Sequence, residues 1–521
     1  MGKHLIMVHD LGTTGDKAVI FDESGKVIAS EYRRYETYYP KVTWVEQDPE
    51  EWWIAVCEST KGVLKKSKIP PEDIEAISLI GQQIGAVPVD KNGNLVRKRT
   101  IIWADARPVK QAKELVKRLG GFGELYKING LGHIPEMLSL CKVMWLKENE
   151  PQVYQKTYKF LQAKDFIINR LTDGEVFVDD YGDASNTGWL DISRKQYATE
   201  LLELAGIDED KLPEIKSSCE IVGEVSEKAA EKTGLKKGTS IVLGTGDVPA
   251  SCVGAGVLKE KMGFGYIGSA NWGGFYSSRL NLDPSIRVIN ICHPIEDYII
   301  FSYTPAGGIS LDWAKKVFYE VEEKLSDMMG INIYDFINMK VHEAPIGSLG
   351  TIYLPYLRSG GGPHWNPYAR GAIVGLTIPV TKNHLVRAIM EGVALNFRWL
   401  LEQFVKLGFD IFRWGELRAI GGGILNLEWA QIYSNVLNMR VTVPDMPQEA
   451  TAKGGFVIAA LALKLYRNFE EVLTKTTRVE KVIEPDKEKH EKYLKIYDVY
   501  KFTYQQLASV FKKIAEIQEQ I

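Results

Sequence analysis

Gly244-Thr245-Gly246-Asp247 follows the apolar run Ser240-Ile241-Val242-Leu243, which reads as a buried strand. Small residues bring the backbone close to whatever lies beyond the strand end, and an acidic side chain follows at once. Such an Asp can serve as a general base or a metal-binding carboxylate. It can equally cap a helix, because Ala250 to Gly256 is small enough to open a close-packed one. A second constellation is Asp10-Leu11-Gly12-Thr13-Thr14-Gly15-Asp16-Lys17. Its glycines can turn backbone N–H groups inward as a nest for an anion, Thr13 and Thr14 add hydroxyl donors, and Lys17 adds charge. Asp10 would suit a hydrated Mg2+ riding on phosphates. The spacing is not that of a GxxxxGK[ST] loop and no helix follows, so Walker chemistry does not apply; alone, the stretch is equally an ordinary hairpin turn. Further glycine turns stand at Gly268-Ser269 and at Gly421-Gly422-Gly423, the latter running into a helix with Asn426 and Glu428. Together these turns favour a nucleotide site enclosed between domains.

The elements that must carry these residues follow from patterning. Leu5 to Val8, Ala18 to Phe21 and Val27 to Ala29 read as three antiparallel strands joined by polar turns. Asp48-Pro49 reads as a cap and first helical residue, opening a helix to about Lys66. Ile74 to Ile80 is a strand ending in Gly81-Gln82-Gln83-Ile84-Gly85. A second meander opens the second half, with strands at 263–267, 272–276 and 297–302, and helices follow at 384–407, at 427–437 and near the end. In the last helix Tyr493, Ile496, Tyr497, Tyr500, Tyr504, Leu507, Phe511 and Ile514 fall three or four apart, a core-facing stripe or a partner-binding face. His133 reads as loop structure or a substrate contact, and the loop around His364-Trp365 as a surface flap or a lid. Trp52 and Trp53 read as packing residues.

A chain of 521 residues is too long for one ordinary domain. Its formal charge of −3 offers no global field for nucleic acid. Five scattered cysteines without a CxxC pair argue against a zinc site or a disulfide framework and fit a reducing cytoplasm. The N-terminus is not a signal peptide, and no apolar run approaches the ~18 residues of a membrane span.

The chain resembles the FGGY family of carbohydrate kinases, within the actin-like ATPases, from about residue 4 to 470. Asp10 to Thr14 resembles the family's first phosphate loop. Gly81-Gln82-Gln83 with Ile102 to Arg107 is similar to its sugar-site segment, Asp180 to Asp191 to its mid-domain motif, and Gly244 to Asp247 to the stretch holding its base. Gly371 to Leu376, His384-Leu385 and Ala388 to Glu391 fit its C-terminal signature, and Gly421 to Asn426 its adenosine motif. The resemblance implies an α/β fold of two actin-like (ribonuclease H-like) domains, 1–254 on the sugar and phosphate side and 255–521 on the adenosine side, with ATP in the interdomain cleft. It implies ATP-dependent phosphorylation of a sugar, with Asp247 as the base and Asp10 and Asp247 around Mg2+. Thr13, Thr14, Lys17, Gly268 and Ser269 would cradle phosphates; Gly422, Gly423 and Asn426 would line the adenosine pocket; Gln83, Trp103, Asp105 and Asp247 would meet the sugar. The Trp103-x-Asp105-x-Arg107 stretch looks most like xylulokinases, which points to a ketopentose, D-xylulose first, ahead of glycerol, ribulose, gluconate or a deoxyketose; a non-catalytic ATP-binding switch is the rival class. Ile84, where relatives carry a polar residue, and Asp16, in a loop usually neutral, depart from the pattern; Asp16 would pair with Lys17 or turn to solvent. The partners expected are a small sugar and no nucleic acid or membrane, with room for a homodimer.

Overall fold

Residues 5–11 alternate cleanly, and the alternation builds the centre of a sheet. In the computed structural model, which describes residues 4–41, 43–358 and 361–520, Leu5, Met7 and Leu11 point into one apolar cluster and Ile6 and Val8 into another. The strands of this sheet are β1 (Leu5–Leu11), β2 (Gly15–Phe21), β3 (Val27–Arg34), β4 (Ile74–Gly81), β5 (Ile221–Glu224) and β6 (Ser240–Gly246), in the order β5-β6-β4-β1-β2-β3. β1, β2 and β3 form the expected antiparallel meander, whereas β1–β4 and β4–β6 are parallel. One face is covered by helix α1 (Pro49–Ser67), whose start is fixed by Asp48, accepting from the Glu50 N–H at 3.0 Å, and by Pro49 in the first turn. Trp52 and Trp53 are buried in that face, as packing residues. The other face is covered by the helix Ala450–Ala462, which supplies Ala452, Phe456 to Ala460 and their neighbours to the second cluster. Further helices of the first half include α2 (Ser139–Asn149) and α3 (Asp247–Gly254).

The chain divides into two compact units. The first is Met1–Leu258 with Tyr276–Ile300 and Glu449–Thr477; the second is Lys259–Phe275, Phe301–Gln448 and Arg478–Ile521. Two late segments therefore complete the first unit. The helix Ala450–Ala462 crosses α3 at glycines: a Cβ on Gly254 would sit 1.8 Å from Ala450 O, and one on Gly454 1.9 Å from Ala250 O. Backbones meet this closely only where both crossing residues lack a side chain.

The second unit is built on β7 (Gly263–Ile267), which pairs antiparallel with β8 (Asn271–Ser277) and parallel with β9 (Glu416–Ile420); β9 continues to β10 (Arg440–Pro444) and β11 (Val479–Ile483). Helices α4 (Ile309–Phe318) and α5 (Leu427–Leu437) and the long terminal helix α6 (Lys487–Gln520) belong to it. The α6 stripe is core along its aromatic members, Tyr493, Tyr497, Tyr500, Tyr504 and Phe511, which are buried; Ile496 and Leu507 are half-buried and Ile514 is exposed. The loop expected to be a flap or a lid packs down instead. His364 stacks on Tyr504 with ring centroids 4.0 Å apart and meets Trp399 edge-on at 4.1 Å. Ser359 and Gly360 of that loop lie outside the described residues. Among the described residues no helix is long and apolar enough to cross a membrane.

Candidate active site

The parallel strands of the first unit end together. Asp10, Ile80 and Thr245 form one cross-strand row, and Leu11, Gly81 and Gly246 the next. Open α/β sheets bind ligands just beyond such carboxyl ends. Asp247 follows directly as the first residue of α3, with Gly246 in the cap position, so its carboxylate is not the helix cap. The backbone N–H groups of Val248 and of Asp247 itself favour its ionised form. Burial nonetheless raises its pKa to about 6, the backbone N–H groups opposing the shift. Burial also raises Asp10, to about 7; Lys17, its cross-strand neighbour, opposes, and Asp247 and Asp16 add to the rise. Two hard carboxylates held near neutrality, each destabilised as an anion, are a donor set suited to a divalent cation such as Mg2+.

Alternation separates Asp16 from Lys17. Asp16 points to the α1 face, where His9 Nδ1 lies 2.8 Å and Ser59 Oγ 2.5 Å from its Oδ2; Lys17 points the other way, 3.1 Å from Glu449. The expectation that Asp16 pairs with Lys17 or reaches solvent is therefore corrected: neighbours on a strand cannot share a face. In the same turn Thr14 Oγ1 is 2.8 Å from Tyr32 OH, and Thr13 Oγ1 accepts from Trp103 Nε1 at 2.9 Å. The turn residues and the Trp103 segment are thus joined directly.

Gln83 and Asp105 are both engaged by protein. Gln83 Nε2 donates to Gly182 O at 3.2 Å, and its Oε1 accepts from Asn186 Nδ2 at 3.1 Å; His133 Nε2 lies 3.1 Å from Asn186 Oδ1. Burial pushes His133 down to about 4, so the ring is neutral. Asp105 is fully buried and takes the Arg107 guanidinium on both oxygens, at 3.0 Å from Nε and 2.7 Å from Nη2, and the Val45 N–H at 2.6 Å. Arg107 also pairs with Glu46 at 2.8 Å.

Of the residues that anchor this row, the mid-domain motif marked Asp180 and Asp183 without a role, and Lys164, Asp165, Asp179 and Ser218 went unmarked. Asp180 Oδ2 accepts from Thr245 Oγ1 at 2.6 Å, Ser218 Oγ at 2.8 Å and the Gly182 N–H at 2.9 Å. Lys164, fully buried, contacts Asp165 and lies 3.1 Å from Asp179, 3.2 Å from Asp180 and 3.7 Å from Asp183. Oxygens of Asp165, Asp179 and Asp183 lie within 4.8 Å of one another, a cation-binding spacing, and the Lys164 ammonium is the cation there. Burial raises the pKa of all three acids. A lysine next to one acid and 15 positions from its second leaves no pattern to read in sequence.

In the second unit the two glycine turns lie side by side, because β7 and β9 are parallel neighbours. Gly421 (φ 92°) and Gly423 both rest on the end of β7: Cβ atoms there would lie 2.6 Å from Ile267 O and 2.7 Å from Ile267 Cγ2. Gly422 is roomier, with Gln448 Nε2 at 3.3 Å from a built Cβ. Asn426 caps α5, accepting from the Trp429 N–H at 3.0 Å. The Gly268 and Ser269 carbonyls accept from the N–H groups that open α4, Gly308 at 2.7 Å and Gly307 at 2.9 Å.

Residues 5–254 match the N-terminal domain of the FGGY family of carbohydrate kinases, and residues 297–463 its C-terminal domain. The chain is 30% identical to a xylulose kinase of Bacillus subtilis (strain 168) over 95% of each chain. It is 31% identical to a glycerol kinase of Thermoanaerobacter sp. (strain X514) over 94% of this chain and 96% of that one. The structure of a ligand-bound xylulose kinase from Lactobacillus acidophilus is similar at a TM-score of 0.86 and 26% identity, covering 98% of this chain and all of that one.

Proposed function

The chain belongs to the FGGY family of carbohydrate kinases, and on that premise we propose that it transfers the γ-phosphoryl group of ATP to a hydroxyl of a ketopentose, D-xylulose first. The observation that carries the reading is Asp247, set at the end of β6 with its carboxyl raised to about 6. Near neutral pH that group is mostly ionised yet still basic enough to take the proton of an attacking hydroxyl, as general-base catalysis requires. Phosphoryl transfer otherwise asks a protein to position groups and offset charge. Asp10 and Asp247 would hold Mg2+, which when bound offsets the phosphate charge. Thr13, Thr14 and Lys17, with Gly268 and Ser269, cradle phosphate oxygens in this reading, and Gly422, Gly423 and Asn426 line the adenosine pocket. Gln83 and Trp103 form the sugar-reading segment in this reading, Trp103 offering a face for C–H groups and Gln83 an amide, while Asp105, fully buried and taken up by Arg107 and Val45, braces that segment from behind instead of meeting the sugar. Such a kinase works in the cytoplasm, where ATP is available.

The test is an ADP-release screen of the purified chain over D-xylulose, other pentuloses, hexuloses, pentitols, gluconate and glycerol. D-Xylulose should give the highest kcat/KM. No D-xylulose signal beside a strong one from glycerol or a deoxyketose would leave only the family-level activity. In parallel, Asp247→Ala should keep nucleotide binding and lose roughly 10²–10⁴-fold in turnover. More than half of wild-type turnover in that variant would remove Asp247 from the chemistry.

A further inference from the structure

The turn Gln82-Gln83-Ile84-Gly85 leaves β4 beside the ends of β1 and β6, and it is pinned from several sides. Gln82 donates its backbone N–H to Leu11 O at 2.8 Å and its side-chain Nε2 to Gln47 Oε1 at 2.8 Å. The Gln162 amide clasps Gly85, accepting from its N–H at 2.9 Å and donating to its carbonyl at 3.2 Å. Between them Ile84 has φ 62°. A β-branched residue avoids this left-handed region because Cβ crowds the following carbonyl, so an Ile there persists only when its surroundings hold it.

The group that holds it is Lys142 on α2. Its ammonium donates to Ile84 O at 2.6 Å and to Met137 O at 2.6 Å. The side chain is wholly buried, and among the described residues no carboxylate is hydrogen-bonded to it. Burial brings its pKa down to about 7; Asp105 works against the shift and Arg107 with it. Burying an ammonium between two carbonyls is costly. A Leu or Met would fill the space without that cost but could not grip Ile84 O. Movement of Ile84 would be felt next door. Gln83 already fills the space over Gly246, where a Cβ would lie 2.3 Å from Gln83 Cδ, and Gly246 precedes Asp247.

We propose that Lys142 is a positioning residue for sugar recognition, holding Ile84 left-handed so that Gln83 keeps its place against Asn186, Gly182 and Gly246. The proposal rests on the kinase reading above. A residue acting this way changes sugar binding while leaving nucleotide binding in place, whereas a merely structural one lowers stability and moves both together.

The experiment uses the full chain, D-xylulose and MgATP. Lys142→Met should raise the sugar KM about tenfold or more and leave the ATP KM within about twofold. In an Ile84→Gly background the same change should raise the sugar KM less than about threefold, because glycine adopts the left-handed conformation unaided. If Lys142→Met is not recovered folded, Lys142→Gln takes its place in both arms. An unmoved sugar KM, an equal rise in both KM values, or a full tenfold effect persisting in the Ile84→Gly background would each overturn the proposal. A wild-type chain that shows no sugar-dependent ADP release with any compound of the screen above would instead sink the kinase reading beneath it.

Discussion

Asp10→Asn should make the ligand-free protein more stable at pH 8 and inactive as a kinase. Burial holds the Asp10 carboxyl at about 7 against 3.8 when unfolded, so the folded chain keeps a proton there that the unfolded chain releases. For a folded pKa raised in this way, the stabilising contribution is complete below pH 3.8 and is lost as pH rises to 7. At about 1.4 kcal/mol per unit, the three-unit interval is worth roughly 4 kcal/mol, of which about 1.6 is already lost at pH 5. Asparagine has the same shape and no charge, so its advantage over the wild type should grow by about 2–3 kcal/mol between pH 5 and pH 8. Denaturant unfolding at the two pH values, without divalent cations, reads this directly. Adding Mg2+ should narrow the gap at pH 8, since a bound cation stabilises the ionised wild-type carboxyl and finds no anion in the variant. Wild type and variant whose stabilities run parallel from pH 5 to pH 8 would refute the reasoning, because Asp10 would then already be solvated as an anion.

Three other outcomes follow from the same geometry. With Asp247 raised to about 6, kcat/KM for the sugar should climb as pH rises through 6 and level off above it; a profile flat from pH 5 to 8 would assign the base elsewhere. Gly454→Ala places a methyl 1.9 Å from Ala250 O, and overpacking of that kind costs about 1–3 kcal/mol or more, so chemical denaturation should show a clear loss; an unchanged midpoint would mean the crossing is looser than described. Asp105→Ala strips Arg107 of its main partner in a buried site, which typically costs about 3–5 kcal/mol, and a variant as stable as wild type would show that Glu46 suffices.

The sequence was most legible where a local rule decided the outcome. Asp48-Pro49 opens α1 as caps and proline require, and the apolar runs at 5–8, 18–21 and 74–80 lie within the strands Leu5–Leu11, Gly15–Phe21 and Ile74–Gly81. Asp16 was misjudged although the rule that places it was at hand: with Lys17 next to it on the strand, the two had to point to opposite faces. Where distant segments meet, the sequence was silent. Nothing near residue 450 announces that its helix belongs against Ile6, Val8 and Ala250, and nothing in the apolar run around Cys141 marks Lys142 as a clamp on Ile84 O. Asp105 was legible as a polar group near the sugar segment, but its engagement by the Val45 N–H depends on how two segments 60 residues apart meet.

The return of Ala450–Ala462 to the first unit also sets a timetable for making the protein. The sheet face that carries Ile6, Val8, Val19 and Val242 emerges from the ribosome long before the helix that covers it. At 5–20 residues per second, the ~200 residues between Gly254 and Ala450 take roughly 10–40 s to synthesise. Through that interval the nascent chain shows a wide apolar surface with no partner of its own, a surface that holdase chaperones bind and that crowded neighbours can stick to. A fragment ending at residue 254 would never leave that condition, so the first half should be insoluble when produced alone and recoverable when residues 449–477 are supplied with it.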